Sequence, residues 1–204
     1  MAAQIYKFQI TYEDCDNRIW RTAEVSSNYT LDKLGCMVLA TFDATASHLF
    51  QMKYKDVTFF LTDEDMDDLP FVEDEAFDLL FRYKIAQLDM QVGDVIEMLY
   101  DFGCDQTFRL ALLEIKEMPK GYGRALPKIL DGAGQGIIED IPASELLEII
   151  RKTDADGHSG ICYSKYDEID APEWDYRNYN TKTDNSLLKG IIEDFYYAYA
   201  YYED

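Results

Sequence analysis

Positive charge is scarce in this sequence. Its 204 residues include 19 lysines and arginines against 40 aspartates and glutamates, which gives a formal net charge of −21 at pH 7. Nucleic acids and anionic membranes are bound chiefly through clustered Lys and Arg. The densest basic stretch, residues 116–128, is offset by Glu114 and Glu117. We therefore expect no direct binding to nucleic acid or to membranes, and we expect a protein partner of basic charge.

Cysteine and histidine are also scarce. There are two histidines, and no pair of cysteines has the Cys-x-x-Cys spacing. In a chain of this size, scattered cysteines are more often buried thiols than a disulfide framework or a zinc site. The cysteines are Cys15, Cys36, Cys104 and Cys162.

Long apolar runs are missing. Lys7, Glu13, Asp14 and Asp16 interrupt residues 1–20, which excludes the apolar core of a secretory signal there. No window approaches the roughly 20 apolar residues that a membrane-spanning helix requires. The sequence therefore predicts a cytoplasmic protein.

Apolar and aromatic residues are present in regular patterns. Hydrophobic residues make up 48% of the chain and aromatic residues 14%, enough for a packed core. Residues 5–12 alternate between apolar and polar side chains, which predicts a half-buried strand, and residues 19–25 predict its hairpin partner. Further strands are expected over 48–54, 57–61, 95–102 and 108–118.

Helices are expected between and after these strands. Apolar residues at helical spacing predict helices over 31–42 and 143–152, and a third helix near residue 190. The strands come as hairpins rather than alternating singly with helices. The predicted fold class is therefore α+β, with a mostly antiparallel sheet and helices packed on one face.

Composition divides the chain into two parts. Residues 1–152 form the predicted core, interrupted near 62–78 by an acidic insertion whose like charges favour an exposed loop. Residues 121–136 are rich in glycine and are expected to form a surface loop. Residues 153–204 are a polar, Tyr-rich extension ending in a helix, which either docks on a partner or packs back on the core.

A series of short motifs gives the chain a family resemblance. In order, they are Ile19-Trp20-Arg21, Thr30-Leu31 with Leu34 and Phe42, His48-Leu49-Phe50, Gly93-Asp94, Tyr100-Asp101-Phe102-Gly103, Leu130-Asp131-Gly132 with Gly134, Glu139-Asp140, and Ala171-Pro172-Glu173-Trp174-Asp175. Their order over residues 4–180 resembles the plasmid pRiA4b open-reading-frame-3-like family, whose members include passenger proteins of bacterial insertion elements. The resemblance implies an α+β fold with a curved sheet, and it implies no agreed activity.

The sequence departs from the family pattern at two places. Many members follow Asp-Phe-Gly with another acid, then Trp and His, where this chain has Cys104-Asp105-Gln106-Thr107-Phe108. Members often carry Pro-Pro-Glu-Asp-x-Gly-Gly, where this chain has Ile137-Ile138-Glu139-Asp140-Ile141-Pro142. One histidine and two glycines of the family pattern are therefore replaced.

Residues of these motifs form a candidate binding groove. They are Trp20, Arg21, His48, Asp101, Phe102 and Gly103. As alternatives, Trp20 packs into the sheet, and Arg21 pairs with one of the many acids. Asp101 would then cap the turn after its strand, while Gly103 takes a positive φ.

A metal site is the sharper hypothesis for part of the groove. His48, Asp101, Glu139 and Asp140 are residue types that hold divalent ions, if the fold brings them together. As an alternative, His48 forms a hydrogen bond with a neighbouring strand or acid, because no His-x-His or His-x-x-x-His pair is present.

Two functions follow from these observations. The first is a non-enzymatic interaction protein, associated with mobile elements, that needs no cofactor and meets a basic protein partner through an acidic surface. The second is a metal-dependent hydrolase, in which a divalent ion held by His48, Asp101, Glu139 and Asp140 lowers the pKa of a bound water.

Overall fold

The computed structural model describes residues 3–62, 76–165 and 168–200. Within these residues the chain forms one sheet of eight strands and three α-helices. The strands are β1 (Gln4–Tyr12), β2 (Trp20–Ser26), β3 (Phe50–Tyr54), β4 (Val57–Phe60), β5 (Ala76–Leu79), β6 (Val95–Tyr100), β7 (Gln106–Glu117) and β8 (Lys128–Ala133). The helices are α1 (Leu31–Thr41), α2 (Ala143–Asp156) and α3 (Thr181–Ala200). The α+β class predicted from the sequence is confirmed.

Antiparallel pairing dominates the sheet. The strand order is β5-β4-β3-β6-β7-β1-β2-β8, and only the β4–β5 pair at one edge is parallel. β1 pairs with β2 on one side and with β7 on the other. The two predicted hairpins, β1–β2 and β6–β7, are therefore joined through β1 at the centre of the sheet.

Alternation along β1 follows the predicted pattern. Tyr6, Phe8, Ile10 and Tyr12 are all buried, while the residues between them are partly exposed. One face of β1 therefore contributes a row of apolar side chains to the core, as expected for a half-buried strand.

Helix α1 lies close against the sheet because it carries a glycine at the contact. A Cβ atom added at Gly35 would lie 2.2 Å from the ring of Phe50 in β3. Ten of the eleven residues of α1 are buried, and its outer side is covered by α3. The helix predicted over 31–42 is thus a central core element.

Two predicted loops contain strands instead. The glycine-rich stretch over 121–136 includes β8, which pairs with β2 and closes one edge of the sheet. Gly132 is needed there for close approach, because an added Cβ would lie 2.8 Å from the carbonyl oxygen of Trp20. Of the acidic insertion near 62–78, residues 63–75 lie outside the described part of the chain. Residues 76–78 belong to strand β5, so the loop prediction is wrong for them.

The residues after 152 contribute to the same apolar core. Leu188, Ile192 and Tyr199 of α3 are buried in it, as is Trp174. Of the two alternatives for the Tyr-rich end, the described part of α3 packs back on the core, although the ring of Tyr197 is 63% exposed. Residues 201–204 lie outside the described residues, and the domain boundary at 152 stays a prediction. Among the helices that are described, none has the length and apolarity to cross a membrane.

The contact between α1 and β3 leads to a stability prediction. Gly35→Ala should lower the free energy of unfolding by about 1–3 kcal/mol, because the added methyl overlaps the Phe50 ring in a packed core. Urea unfolding followed by circular dichroism measures the change. Gly190→Ala in α3 is the matched control, since nothing lies within 4 Å of its added Cβ. The control should be neutral or stabilising by up to about 1 kcal/mol; equal losses in both variants would contradict the proposed overlap.

Candidate functional site

The pairing of β3 with β6 brings His48 and Asp101 together. Phe50 lies opposite Tyr100, and beyond this pair the amide of Asp101 donates to the carbonyl of Leu49 over 3.2 Å. His48 therefore precedes β3 at the same end of the sheet where Asp101 follows β6. Residues separated by more than fifty positions in the sequence become neighbours through this register.

Three carboxylates converge on one ring nitrogen of His48. Nε2 lies 2.9 Å from Oδ1 of Asp140, 3.7 Å from Oδ2 of Asp101 and 3.9 Å from Oε2 of Glu139. The structure thus assembles all four residues of the predicted metal site. We refer to His48, Asp101, Glu139 and Asp140 as the His48 cluster.

Asp101 is held by one oxygen only. Its Oδ1 accepts hydrogen bonds from the amides of Gly103 at 3.1 Å and Cys104 at 3.3 Å, which closes the β6–β7 turn. Its Oδ2 is buried and, among the described residues, has no hydrogen-bond partner. The side chain is only 6% exposed. Asp101 therefore caps the turn, as the alternative interpretation proposed. Only one of its two carboxylate oxygens forms hydrogen bonds within the described residues.

The predicted backbone of this turn is wrong in one respect. Gly103 does not have a positive φ; Asp101 itself has φ 55° and Asp105 has φ 51°. Aspartate tolerates this left-handed conformation better than most residues. The side chain of Asp101, bonded to the turn amides, supports the conformation that the glycine was expected to supply.

Glu139 is fixed by donors from two other elements. Its Oε1 accepts from the amide of Thr45 at 2.6 Å, from the Thr45 hydroxyl at 3.0 Å and from the Tyr100 hydroxyl at 3.0 Å. Burial raises the pKa of Tyr100, and the adjacent Glu139 carboxylate raises it further. The Tyr100 hydroxyl therefore stays protonated and donates a hydrogen bond to Glu139. This hydrogen bond holds Glu139 with its Oε2 towards His48.

Helix α3 holds the backbone of His48 through a hydrogen bond. The hydroxyl of Tyr199 donates to the carbonyl oxygen of His48 over 2.7 Å, and the Tyr199 ring packs edge-on against Phe50. The imidazole also packs edge-on against the Tyr100 ring. The contribution of Tyr199 was missed from the sequence, because its spacing in a Tyr-rich helix gives no sign of which ring reaches the sheet.

Comparison with known proteins agrees with the motif order. The family model described as plasmid pRiA4b ORF-3-like protein matches residues 4–183. The chain belongs to this family. No curated protein matches it.

Solved structures share the fold of this pRiA4b ORF-3-like protein. One of them is the crystal structure of a protein of unknown function, MM3350, from Methanosarcina mazei Go1. The TM-score is 0.67 at 15% sequence identity, over 89% of this chain and 97% of MM3350. At this identity the likeness shows the fold alone.

The Ile-Trp-Arg motif of the pRiA4b ORF-3-like chain belongs to a different network. Arg21 is 1% exposed; its Nε donates to the Thr41 carbonyl, and its Nη1 donates to the carbonyls of Trp20 and Ala133. Its guanidinium stacks 3.7 Å above the Tyr179 ring, and Nε lies 3.6 Å from Asp184. Burial lowers the pKa of Arg21 and raises that of Asp184.

The predicted groove is therefore brought together only in part. His48 and Asp101 belong to the cluster, and Phe102, 46% exposed, lies with Gly103 in the exposed part of the same turn. Within the described residues, no hydrogen bond or ion pair connects Trp20 or Arg21 with the His48 cluster. Trp20 is half-buried, and Arg21 pairs with an acid, as the alternative interpretation of this motif proposed.

Cluster geometry in this family member suits a metal ion. One ligand atom each from His48, Asp101 and Asp140 lies within 4.8 Å of the others. Ligand atoms about 2.0–2.2 Å from a tetrahedral zinc ion are about 3.4 Å apart, so small shifts would complete such a site. Cys104 adjoins it: burial, followed by Asp101, raises the pKa of its thiol to about 11.

The Arg21 network leads to a second stability prediction. Arg21→Met should cost about 3 kcal/mol of the free energy of unfolding, because it leaves buried carbonyls without their donor and Asp184 without its cation. Arg18→Met is the matched control, since Arg18 is a 44% exposed residue paired with Asp154. That pair should contribute at most about 1 kcal/mol. Denaturant unfolding measures the change in the free energy of unfolding for both variants. If Arg21→Met loses no more stability than Arg18→Met, a structural role of Arg21 is contradicted.

Proposed function

We propose that this protein binds a divalent cation through His48, Asp101 and Asp140, with Glu139 beside them. The observation that carries the proposal is Oδ2 of Asp101, a buried carboxylate oxygen without a hydrogen-bond partner that faces Nε2 of His48. A buried carboxylate oxygen without a hydrogen bond is costly, and a bound cation is one way in which a protein compensates for it.

Charge balance supports the same proposal. The cluster sets three carboxylates against one imidazole, so even a protonated His48 leaves two negative charges uncompensated. Asp101 and Glu139 are 6% and 8% exposed, and water therefore screens them poorly. Within the described part of the chain, no Lys or Arg forms an ion pair with the cluster. A divalent cation would supply the missing charge.

The donor set indicates the class of ion. Imidazole nitrogen together with carboxylate oxygen suits zinc, manganese or ferrous ions better than calcium, which prefers oxygen ligands alone. Asp140 is 77% exposed and His48 32% exposed, so one side of the cluster is open to solvent. Catalytic metal sites keep an open position, whereas structural zinc sites are closed.

A metal-dependent hydrolase is the activity that such a site supports best. When bound, a divalent ion polarises a water molecule and lowers its pKa. The residues of this chain would then hold the ion and accept a proton from the water molecule. Glu139, fixed by Thr45 and Tyr100, holds Oε2 3.9 Å from Nε2 of His48, where it could accept a proton from a water molecule activated at the cluster.

The metal proposal predicts a change in thermal stability. Zn²⁺ or Mn²⁺ at about 100 times its dissociation constant should raise Tm by roughly 5–10 °C, because it binds the folded state. Asp101→Asn should abolish the rise. In EDTA this variant should be at least as stable as the parent, since it removes a buried charge whose Oδ2 has no hydrogen bond while keeping the oxygen that caps the turn. Differential scanning calorimetry with and without ion measures both effects.

Asp105→Asn is the control for this experiment. Asp105 lies in the same turn, has a similar left-handed conformation and is exposed outside the cluster. It should keep the full rise in Tm. The metal proposal fails if none of zinc, manganese, cobalt or magnesium raises Tm, or if the two variants respond alike.

Charge supports a second candidate function, the binding of a basic protein partner. The formal net charge of −21 favours encounter with a positively charged surface, and such attraction acts over a Debye length. In this reading the protein is a non-enzymatic interaction module that works in the cytoplasm. The exposed Phe102, next to the cluster, gives the contact an apolar centre.

The second candidate predicts a salt dependence. Binding of a Lys-rich peptide of about 20 residues should weaken at least tenfold when ionic strength rises from about 0.1 M to about 1 M, because the Debye length falls from about 10 Å to about 3 Å. Fluorescence anisotropy of the labelled peptide measures this. A peptide of the same length with neutral residues is the control. Binding that does not change with salt would reject the charge-driven interaction.

A further inference from the structure

The lining of one cleft has a positive net charge, whereas the whole molecule has a negative one. A cavity of about 370 Å³ lies between the start of α1, the turn before β8 and the outer side of α3. Three cations line it, Lys33, Arg124 and Lys189, against the single acid Glu193. The whole chain has 19 bases and 40 acids, so cations outnumber acids in this cleft although they are outnumbered about two to one elsewhere.

Within the described residues, these three cations form no ion pairs. No carboxylate of the described residues lies within ion-pair distance of them, whereas Arg18, Arg21, Lys116, Arg151 and Arg177 all have one. Lys189 donates to the backbone carbonyl of Arg124, which ties α3 to the turn that carries Arg124. Nζ of Lys33 lies 4.5 Å from the centre of the Tyr196 ring. Neutral groups thus hold the side chains of Lys33 and Lys189, and within the described residues no carboxylate neutralises the three cations.

Aromatic rings complete the lining. Tyr29, Tyr196 and Tyr197 all face the cleft, and the ring of Tyr197 is 63% exposed. Burial raises the pKa of Tyr29, and Glu193 raises it further, so its hydroxyl remains protonated and can donate a hydrogen bond. An exposed ring beside unpaired cations offers a stacking surface next to a binding place for negative charge.

We propose that this cleft binds a nucleoside diphosphate, with its phosphates on Lys33, Arg124 and Lys189 and its base stacked on Tyr197. The volume falls within the range of about 300–1,000 Å³ that is typical of small-molecule sites. Three cations with one nearby acid match a ligand of two or three negative charges. The proposal is independent of the His48 cluster, because none of the cluster residues lines the cleft.

The negative charge of the rest of the protein limits the size of the ligand. A nucleic-acid strand would have to run from the cleft across a surface of a protein with a net charge of −21, and it would be repelled there. A single nucleotide is contained within the cleft and avoids this repulsion. The same argument favours a ligand whose charge is concentrated at one end.

Isothermal titration calorimetry of the full chain with ADP tests the proposal. EDTA is included so that ions at the His48 cluster play no part. ADP should bind with one site per chain, pyrophosphate should bind more weakly, and adenosine alone should not bind measurably. Arg124→Ala and Lys189→Ala should each weaken ADP about tenfold through the loss of a charged contact. Tyr197→Ala should weaken ADP about fivefold or more while leaving pyrophosphate unchanged.

Lys182→Ala is the matched control, because Lys182 is exposed on the same helix outside the cleft. It should leave ADP binding unchanged. Arg124→Glu, in an exposed turn, provides a second variant if Lys189→Ala does not fold. The proposal is overturned if ADP gives no saturable binding or if the cleft variants match the control. It is also overturned if pyrophosphate or citrate binds as tightly as ADP, or if a single-stranded oligonucleotide binds more tightly than ADP.

Discussion

The antiparallel register between β3 and β6 is the constraint on which the candidate site depends. Pairing of Phe50 with Tyr100 sets His48 beside Asp101, and the amide of Asp101 continues the ladder to Leu49. A slip of one residue would turn every side chain of β3 to the opposite face of the sheet. The close packing of Phe50 against Gly35 of α1 favours this register, because a slip would remove the Phe50 ring from that contact.

Two buried charged groups differ in how completely the protein satisfies their hydrogen-bonding atoms. Arg21 is enclosed, and its donors meet the carbonyls of Thr41, Trp20 and Ala133, so its environment is complete. Asp101 is similarly enclosed, but only one of its oxygens is used. The family motifs contain both Arg21 and Asp101, and the sequence around them does not show which of the two is fully hydrogen-bonded. Only the geometry shows that one charge is satisfied by the protein and the other is not.

Elements with a strong local pattern were predictable from the sequence. Alternation along β1 and helical spacing along α1 both report burial directly, and the structure follows them. β8 was not predictable, because the glycine-rich stretch around it, residues 121–136, resembles a loop, whereas Gly132 within β8 lets the chain approach Trp20. The residues of the His48 cluster were identified, but their convergence depends on pairing between distant strands. The hydrogen bond from Tyr199 to His48 depends on how α3 docks, which local spacing does not encode.

Helix α3 carries Tyr197 of the cationic cleft and, two residues later, Tyr199 that holds the carbonyl of His48. A displacement of this last turn changes the surroundings of both places at once. Thermodynamic linkage then requires reciprocity: whatever factor an occupant of the cleft imposes on the affinity of the His48 cluster, an occupant of the cluster imposes on the cleft. The terminal turn of α3 therefore connects the two proposed sites, and a coupling between their binding equilibria would pass through it.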